Sequence, residues 1–472
     1  MKRVKYALLL ASASFLVACG GGAEKPAEPV AEKQTETTEA AEFEYFSEQF
    51  ADIKVLRYDI PGFDELSMQQ KTLLYYLYEA ALSGRDMMYD QNFKHNLCIR
   101  KTLEGVYANY AGDKESAEFK ALHMYLKRVW FSNGIHHHYS NDKMMPEFSA
   151  AWFADAVNGL DDSVLPLQEG EDKAALVAKI TPVLFDESIS NKKVNITDGI
   201  DKVMGSAVNF YEGVTEAEAI AFYKENYDNS SSERPEYGLN TKLMKEDGKV
   251  VEKTWMVGGM YTQAIERVVY WLELAVTVAE NEKQKAALVA LVKYYKSGDV
   301  ADWDAYNIAW VNDTDSPIDV VNGFIEVYND PLGRKGSFES VVSVRDPEAS
   351  KRIAAIGEEA QWFEDHSSIM DEHKKADVKG ISAKVISVVM EAGDASPSTP
   401  IGINLPNNNW VRETHGSKSV NLGNIVGAYE EASRGTGFLE EFTFSQEEVD
   451  RLKEHGSLAD KLHTDMHEVI GH

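Results

Sequence analysis

The chain has 472 residues, 44% of them hydrophobic, enough for two or three domains around sizeable cores. Acidic residues number 77 against 48 basic ones, a net charge of −29. Such a surface repels a phosphate backbone, which excludes nucleic acid as an expected partner.

Lys2, Arg3 and Lys5 make a basic start, and Ala7 to Val17 is an apolar run too short for a membrane span. It ends in Leu16-Val17-Ala18-Cys19-Gly20, which resembles a bacterial lipobox with a small residue before the cysteine. Residues 1–18 are therefore expected to be a lipoprotein signal peptide, with Cys19 the lipidated amino terminus and the anchor to a membrane. Gly20 follows the cysteine where an inner-membrane retention signal would have Asp. The expected location is the bacterial cell envelope, at the outer membrane or cell surface. Apart from Cys19, Val30 and Gln34, residues 19–42 are Gly, Ala, Pro, Glu, Lys and Thr with little to bury, which predicts a disordered tether. The only other cysteine is Cys98, so a lipidated Cys19 leaves no intrachain disulfide.

The folded part is expected to start near Phe43. Ile53 to Ile60 reads as a strand ended by Pro61-Gly62. Gln69 to Leu82 reads as an amphipathic helix stopped at Ser83-Gly84. Further helices are predicted from Leu97 to Tyr110 and from Ser116 to Phe131. Thr215 and Glu218 form a capping box for a helix over Glu216 to Asn226. Asp247-Gly248 between two strand-like runs predicts a hairpin. Ile265, Val268, Val269, Leu272, Ala275, Val276 and Ala279 keep a period of 3.6, and Gln284 to Lys296 makes a second helix. Asn322 to Gly336 reads as mixed loop and helix, and Pro347 to His373 as a charged helical pair. Lys384 to Met390 and Ile401 to Leu405 read as strands, and Asn421 to Ala432 as a helix. Ser445 and Glu448 have the capping-box spacing. A terminal helix is expected from about Ser457, its stripe Leu458, Leu462, Met466 and Ile470 facing the core.

That helix ends in His467-Glu468-Val469-Ile470-Gly471-His472. Imidazoles can hold a zinc ion and a carboxylate can take a proton from a water beside it. The spacing is one residue longer than His-Glu-x-x-His, so a regular α-helix would turn the second histidine away from the first. A π-bulge, made easier by Gly471, would bring them together. The bland alternative is a surface helix that happens to carry two histidines. His463 and His467 form a rival pair without a carboxylate after His463. His136-His137-His138-Tyr139 cannot aim three imidazoles at one ion from a regular element. It reads as a cleft-lining loop or as a partly exposed loop without function.

The hexapeptide resembles the His-Glu-x-x-Gly-His motif of the dipeptidyl peptidase III family, peptidase family M49. Three more blocks agree with that family in order and spacing. They are Asn322-Gly323-Phe324-Ile325-Glu326 leading into Tyr328-Asn329-Asp330-Pro331-Leu332-Gly333, then Gly402-Ile403-Asn404-Leu405-Pro406-Asn407, then Val420-Asn421-Leu422-Gly423-Asn424. The resemblance runs from about residue 43 and is strongest from about residue 255.

It implies an α+β fold of two lobes about a cleft. Residues 43–339 and 388–433 would form a peptide-binding lobe with a β-barrel core and helices. Residues 340–387 and 434–472 would begin a mostly helical zinc lobe. The implied activity is zinc-dependent release of dipeptides from the amino ends of short peptides. Zn2+ would sit on His467 and His472 with Glu468 as general base. Asn404 and Asn407 would hold the amino end of the substrate, and Asp319 would pair with its ammonium. The residues' own alternative for Asn404 and Asn407 is turn chemistry beside Pro406, and for Asp319 a solvated loop acid. Val321 stands where animal enzymes of the family carry a tyrosine that steadies the transition state. Tyr429 lies near a family cleft tyrosine, one residue out of register. The third zinc ligand implied by the resemblance, a glutamate on a later helix, is not among these residues. A chain truncated after this motif is expected to be inactive and to bind zinc weakly. A non-catalytic peptide-binding lipoprotein is the alternative, and Glu468 speaks against it, since a binder needs no carboxylate beside a metal.

Overall fold

Caps and hydrophobic period place most of the expected helices. The computed structural model describes residues 43–471 apart from 228, 229, 232, 379, 380, 397 and 398. The expected signal peptide, the tether with Cys19, and His472 lie outside the described residues.

A hairpin of β1 (Phe46–Phe50) and β2 (Ile53–Leu56) precedes α1 (Met68–Asn92), α2 (Asn96–Asn109), α3 (Ala117–Phe131), α4 (Ala150–Asn158) and α5 (Lys173–Phe185). Next come β3 (Tyr211–Glu212), α6 (Glu216–Asn226), the hairpin of β4 (Thr241–Glu246) and β5 (Lys249–Thr254), then α7 (Thr262–Thr277), α8 (Glu282–Ser297) and α9 (Val300–Asn312). The remainder is β6 (Ile318–Glu326), β7 (Ser337–Asp346), α10 (Pro347–Glu358), α11 (Ala360–His366), β8 (Ile381–Gly393), β9 (Gly402–Leu405), α12 (Asn409–His415), β10 (Ser417–Leu422), α13 (Gly423–Ser433), α14 (Phe438–Phe442) and α15 (Gln446–Met466). Among the described residues no helix is long and apolar enough to cross a membrane.

Local chemistry explains the elements that came out as expected. Thr215 Oγ1 accepts from the Glu218 amide at 3.3 Å, and the Glu218 carboxylate accepts from the Thr215 amide at 3.0 Å, closing the box that starts α6. In α7 the residues Ile265, Val268, Val269, Leu272 and Ala275 are buried, as their period requires. Ser83-Gly84 does not stop α1, which runs on to Asn92. A Cβ at Gly84 would lie 2.0 Å from the ring of Phe338, so this glycine lets the helix close on β7.

The segment Asn322 to Gly336, expected to be loop and helix, begins as strand up to Glu326 and continues as loop to Gly336. Ile318, Val320, Val321, Phe324 and Ile325 are all buried, and a strand covered on both sides shows no alternation. The start of the expected helix at Asn421 is the end of β10, with α13 following directly.

The fold is α+β, and its centre is a five-stranded sheet in the order β6-β7-β8-β10-β9. Strand β10 runs parallel to β8, and the other pairings are antiparallel. No pairing among the described residues joins β6 to β9, so the core is an open sheet where a barrel was expected. It is nevertheless curled. In a flat sheet β6 and β10 would lie about 14 Å apart, yet Lys418 on β10 reaches Asp319 on β6 with Nζ 2.7 Å from the carboxylate. The expected lobe boundaries at 339/340 and 387/388 fall inside β7 and β8, which both run unbroken in this sheet. The helical insertion is therefore the shorter segment from Pro347 to the start of β8.

Candidate active site

Helix α15 gives way to a π-turn over His467–Gly471, the distortion that the six-residue motif called for. Hydrogen bonds from i to i+5 stack residues five apart, which is the spacing of the two motif histidines. His467 is exposed, Glu468 and Val469 are buried, and Gly471 is exposed.

The inward side of this segment differs from the apolar stripe expected. Leu458 and Leu462 are exposed, and Met466 and Ile470 are only half-buried. What faces the sheet is Asp465, Glu468 and Val469. The reason lies in the strands beneath. Lys418 pairs in register with Leu405, Ser419 with Asn404, Val420 with Ile403 and Asn421 with Gly402. Side chains alternate across a sheet, so one side of β9 and β10 is apolar apart from Lys418, while the other carries Gly402, Asn404, Ser419 and Asn421. The terminal segment lies on that second, polar side. Asp465, fully buried, accepts from Asn421 Nδ2 at 2.8 Å and from Arg352 Nε at 3.0 Å. Ser419 Oγ donates to the backbone carbonyl of Glu468 at 2.7 Å, and Asn404 Nδ2 donates in turn to Ser419 Oγ.

Glu468 lies directly against β9. A Cβ on Gly402 would stand 2.1 Å from Glu468 Oε1, so the strand makes room for the carboxylate by having no side chain there. Glu468 Oε2 is buried with no hydrogen-bond partner. Burial pushes this carboxyl up from its ordinary range, and His467 opposes the shift. A buried carboxylate with a spare acceptor and a raised pKa is a better proton acceptor than an ordinary one. Among the described residues no set of three His, Cys, Asp or Glu side chains is arranged to hold a metal. Of the two expected ligands, His467 is described and sits on the π-turn.

The substrate residues expected from the sequence fall into three places. Asn404 faces the π-turn, and together with Asn409, Arg412 and Gly471 it lines a cleft of 700 Å³. Its Oδ1 is buried without a partner. Asn407 lies past Pro406, hydrogen-bonds Glu326, and lines a separate cavity of 500 Å³. Asp319 lies on the inner side of β6. One of its oxygens accepts from Trp310 Nε1 at 2.8 Å and the other from Lys418 Nζ at 2.7 Å. The acid expected to meet a substrate ammonium therefore already holds an internal one. Val321 lines a narrow apolar cavity with Trp303, Tyr306 and Trp310. Tyr429 is half-exposed on α13 near Tyr139 and Glu391, away from the cleft beside Asn404.

The three consecutive histidines point to different partners. His136 is buried with Nε2 2.7 Å from the Ser190 carbonyl. His137 Nε2 lies 3.1 Å from Asp52, and His138 stacks on His137. Burial pushes His136 and His138 each down to about 4. They are packing groups that tie the β1–β2 hairpin and the loop around Ser190 to the helices.

The sequence profile of peptidase family M49 matches residues 220–472, more than half of the chain. The chain belongs to peptidase family M49. The M49 chain is 30% identical over 223 residues to a protein of Dictyostelium discoideum named dipeptidyl peptidase 3, a stretch covering 46% of this chain and 30% of that protein. It is 30% identical over 194 residues to the Homo sapiens dipeptidyl peptidase 3, covering 39% of this chain and 25% of the other. Among solved structures, DPP III from Caldithrix abyssi superposes with a TM-score of 0.63 at 22% identity, over 87% of this chain and 64% of that one. Dipeptidyl-peptidase III from Corallococcus sp. strain EGB gives 0.63 at 19%, over 89% and 64%. These likenesses establish the shared fold. The M49 chain thus spans less than two thirds of these relatives. Its supporting residues Asp465, Arg352 and Ser419 were not foreseen. An acid two residues before the motif histidine is the one signal for them in the sequence.

Proposed function

We propose that the protein is a zinc-dependent dipeptidyl peptidase acting on the amino ends of short peptides, and that its envelope anchor is a lipid on Cys19. The observation that carries the reading is the position of Glu468 against Gly402, at one end of β9. Strand β9 pairs only with β10 among the described residues, so its other edge can take an extended peptide through backbone hydrogen bonds. An antiparallel peptide would start beside Leu405 and Asn407 and run toward Gly402. Counted from Leu405 at about 3.4 Å per residue, its second peptide bond would lie opposite Asn404 and Ile403, one residue short of the Gly402 that abuts the Glu468 carboxylate.

The residues fit Zn2+: His467 and His472 would hold it across the π-turn, and the unpartnered Glu468 Oε2 faces no competing donor. Bound there, the ion would supply an acidified water and a polarised carbonyl. Glu468 would take the proton of that water and return it to the leaving amine. Asn404, with one buried oxygen unpartnered, would orient the peptide backbone.

In the native protein, Glu468→Ala should abolish release of dipeptides from a dipeptidyl-arylamide and leave peptide affinity unchanged. Peptide binding with no turnover that Glu468→Ala removes would instead mark a non-catalytic binding lipoprotein. Mass spectrometry of the mature protein should find an acylated Cys19, and an intact Met1 would overturn the anchor.

A further inference from the structure

We infer that a cavity behind the terminal segment is a second ligand site, taking a small zwitterion of the size of an amino acid or a dipeptide, and that its occupant steadies the segment that carries Glu468. The cavity has a volume of 250 Å³ and lies on the polar side of the sheet. Ser387 of β8 and Asn421 of β10 line it, together with residues of α10, α13 and α15. It shares no lining residue with the 700 Å³ cleft beside Asn404.

Asn421 is 2% exposed, and its Nδ2 is spent on Asp465. Its Oδ1 is buried without a partner. An unmet acceptor in a cavity wall calls for an N–H or ammonium brought by an occupant. Arg352 offers the complement. Its Nε is on Asp465 at 3.0 Å, and the rest of its planar fork has no partner among the described residues. Such a fork matches a carboxylate. Gly423 and Asn424, the first residues of α13, also line the cavity, and no side chain caps this helix. Uncapped amides at a helix start favour an anion.

Charge and size narrow the occupant. Asp59 and Asp346 line the cavity as well as Arg352 and Lys461. Each base also has an acid of its own, Asp465 for Arg352 and Glu430, at 3.4 Å, for Lys461. A lone anion would meet both carboxylates and a lone cation both bases, whereas a molecule with one charge of each sign can satisfy both. At ~30 Å³ of liquid per water, the space is that of about eight waters. That is more than a bridging water needs, and it suits a small dipeptide. Arg352 and Asn421 are also the two residues that hold Asp465, so an occupant on them adds to the same joint.

Gly427 lines the cavity from α13, and a Cβ there would have no atom within 4 Å. A side chain at this position would grow into open space. The test is calorimetric titration of the native protein with Ala-Ala, with free alanine, and with Ala-Ala acetylated at its amino end or amidated at its carboxyl end. Ala-Ala or alanine should bind, the tighter of the two showing the size of the occupant. Each capped dipeptide should bind at least about tenfold more weakly than Ala-Ala, the scale of one charge-assisted hydrogen bond. Gly427→Leu puts a better helix former in place of glycine, so melting should hold while binding falls at least about tenfold. Lys461→Met removes one base without filling the space and should weaken binding by a smaller factor. Hydrogen exchange over 446–471 should slow when Ala-Ala is added to wild type and stay unchanged in Gly427→Leu. Binding that survives Gly427→Leu would place the ligand elsewhere and overturn the inference. So would a wild type that binds neither zwitterion, its cavity holding water only. None of these readouts needs metal or turnover, so they stand apart from the peptidase reading.

Discussion

Strands β9 and β10 have two sides that do different jobs. On one side Ile403, Leu405, Val420 and Leu422 enter the main core, with residues of α1, α7, α8 and α9. On the other, Asn404, Ser419 and Asn421 meet Asp465 and Glu468 through directed hydrogen bonds. The apolar core around the terminal turn is small, built on Ile353, Val385 and Val469. Burial without direction holds the first side, and polar geometry positions the second. A catalytic carboxylate needs the second kind, since it must be held within a fraction of an ångström of its target.

Substitutions on the two sides should separate these roles. Leu422→Ala, at a fully buried position, should cost about 2–5 kcal/mol and lower the urea midpoint of the whole described domain. Asp465→Asn keeps the shape but removes the charge facing Arg352, for about 1.5–3 kcal/mol. Its effect should be local: hydrogen exchange should quicken over 446–471 and stay slow in β6 to β8. Equal loss of protection in both places would erase the distinction between the sides. Ser419→Ala removes two neutral hydrogen bonds, one to the Glu468 carbonyl and one from Asn404, about 0.5–1.5 kcal/mol each, and should loosen the π-turn with little change in global melting.

The smallest effect is on pH dependence. Burial raises Glu391 in β8 to about 7, and Thr399 donates to one of its oxygens. Asp304 in α9 also stands at about 7, raised by burial and held back by Asn408. A raised acid binds more protons folded than unfolded between its ordinary pKa and its raised one. These two acids should therefore make stability fall as pH rises from about 4 to about 7, while His136 and His138, held down at about 4, pull the other way between about 4 and 6.5. Glu391→Gln should flatten that slope, and an unchanged slope in chemical melts at pH 4.5 and 7.5 would assign it to other groups.

Much of this was legible in the chain. Caps at Thr215 and Ser445, the 3.6 period of α7 and the turn at Asp247-Gly248 are local signals, and each sits where it was expected. Strand β6 was misread because its run Val320-Val321-Asn322-Gly323-Phe324 is covered on both sides and shows no period of two. Gly84 was misread as a stop because its reason, the ring of Phe338, lies far along the chain.

By itself the sequence determined the terminal distortion. A spacing of five between histidines, with four residues between them and a glycine among those, cannot suit one metal on a regular α-helix, and a π-turn stands there. It also determined the family, because four blocks in one order are a covalent fact. Only the tertiary structure decided which side of α15 turns inward and what each acid is free to do. The leucine stripe was left exposed because the strands beneath offer asparagine and serine, which an aspartate satisfies and a leucine cannot. Asp319 was given to Lys418 because the sheet curls enough for β10 to reach β6, and the curl of five strands is a property of their packing together.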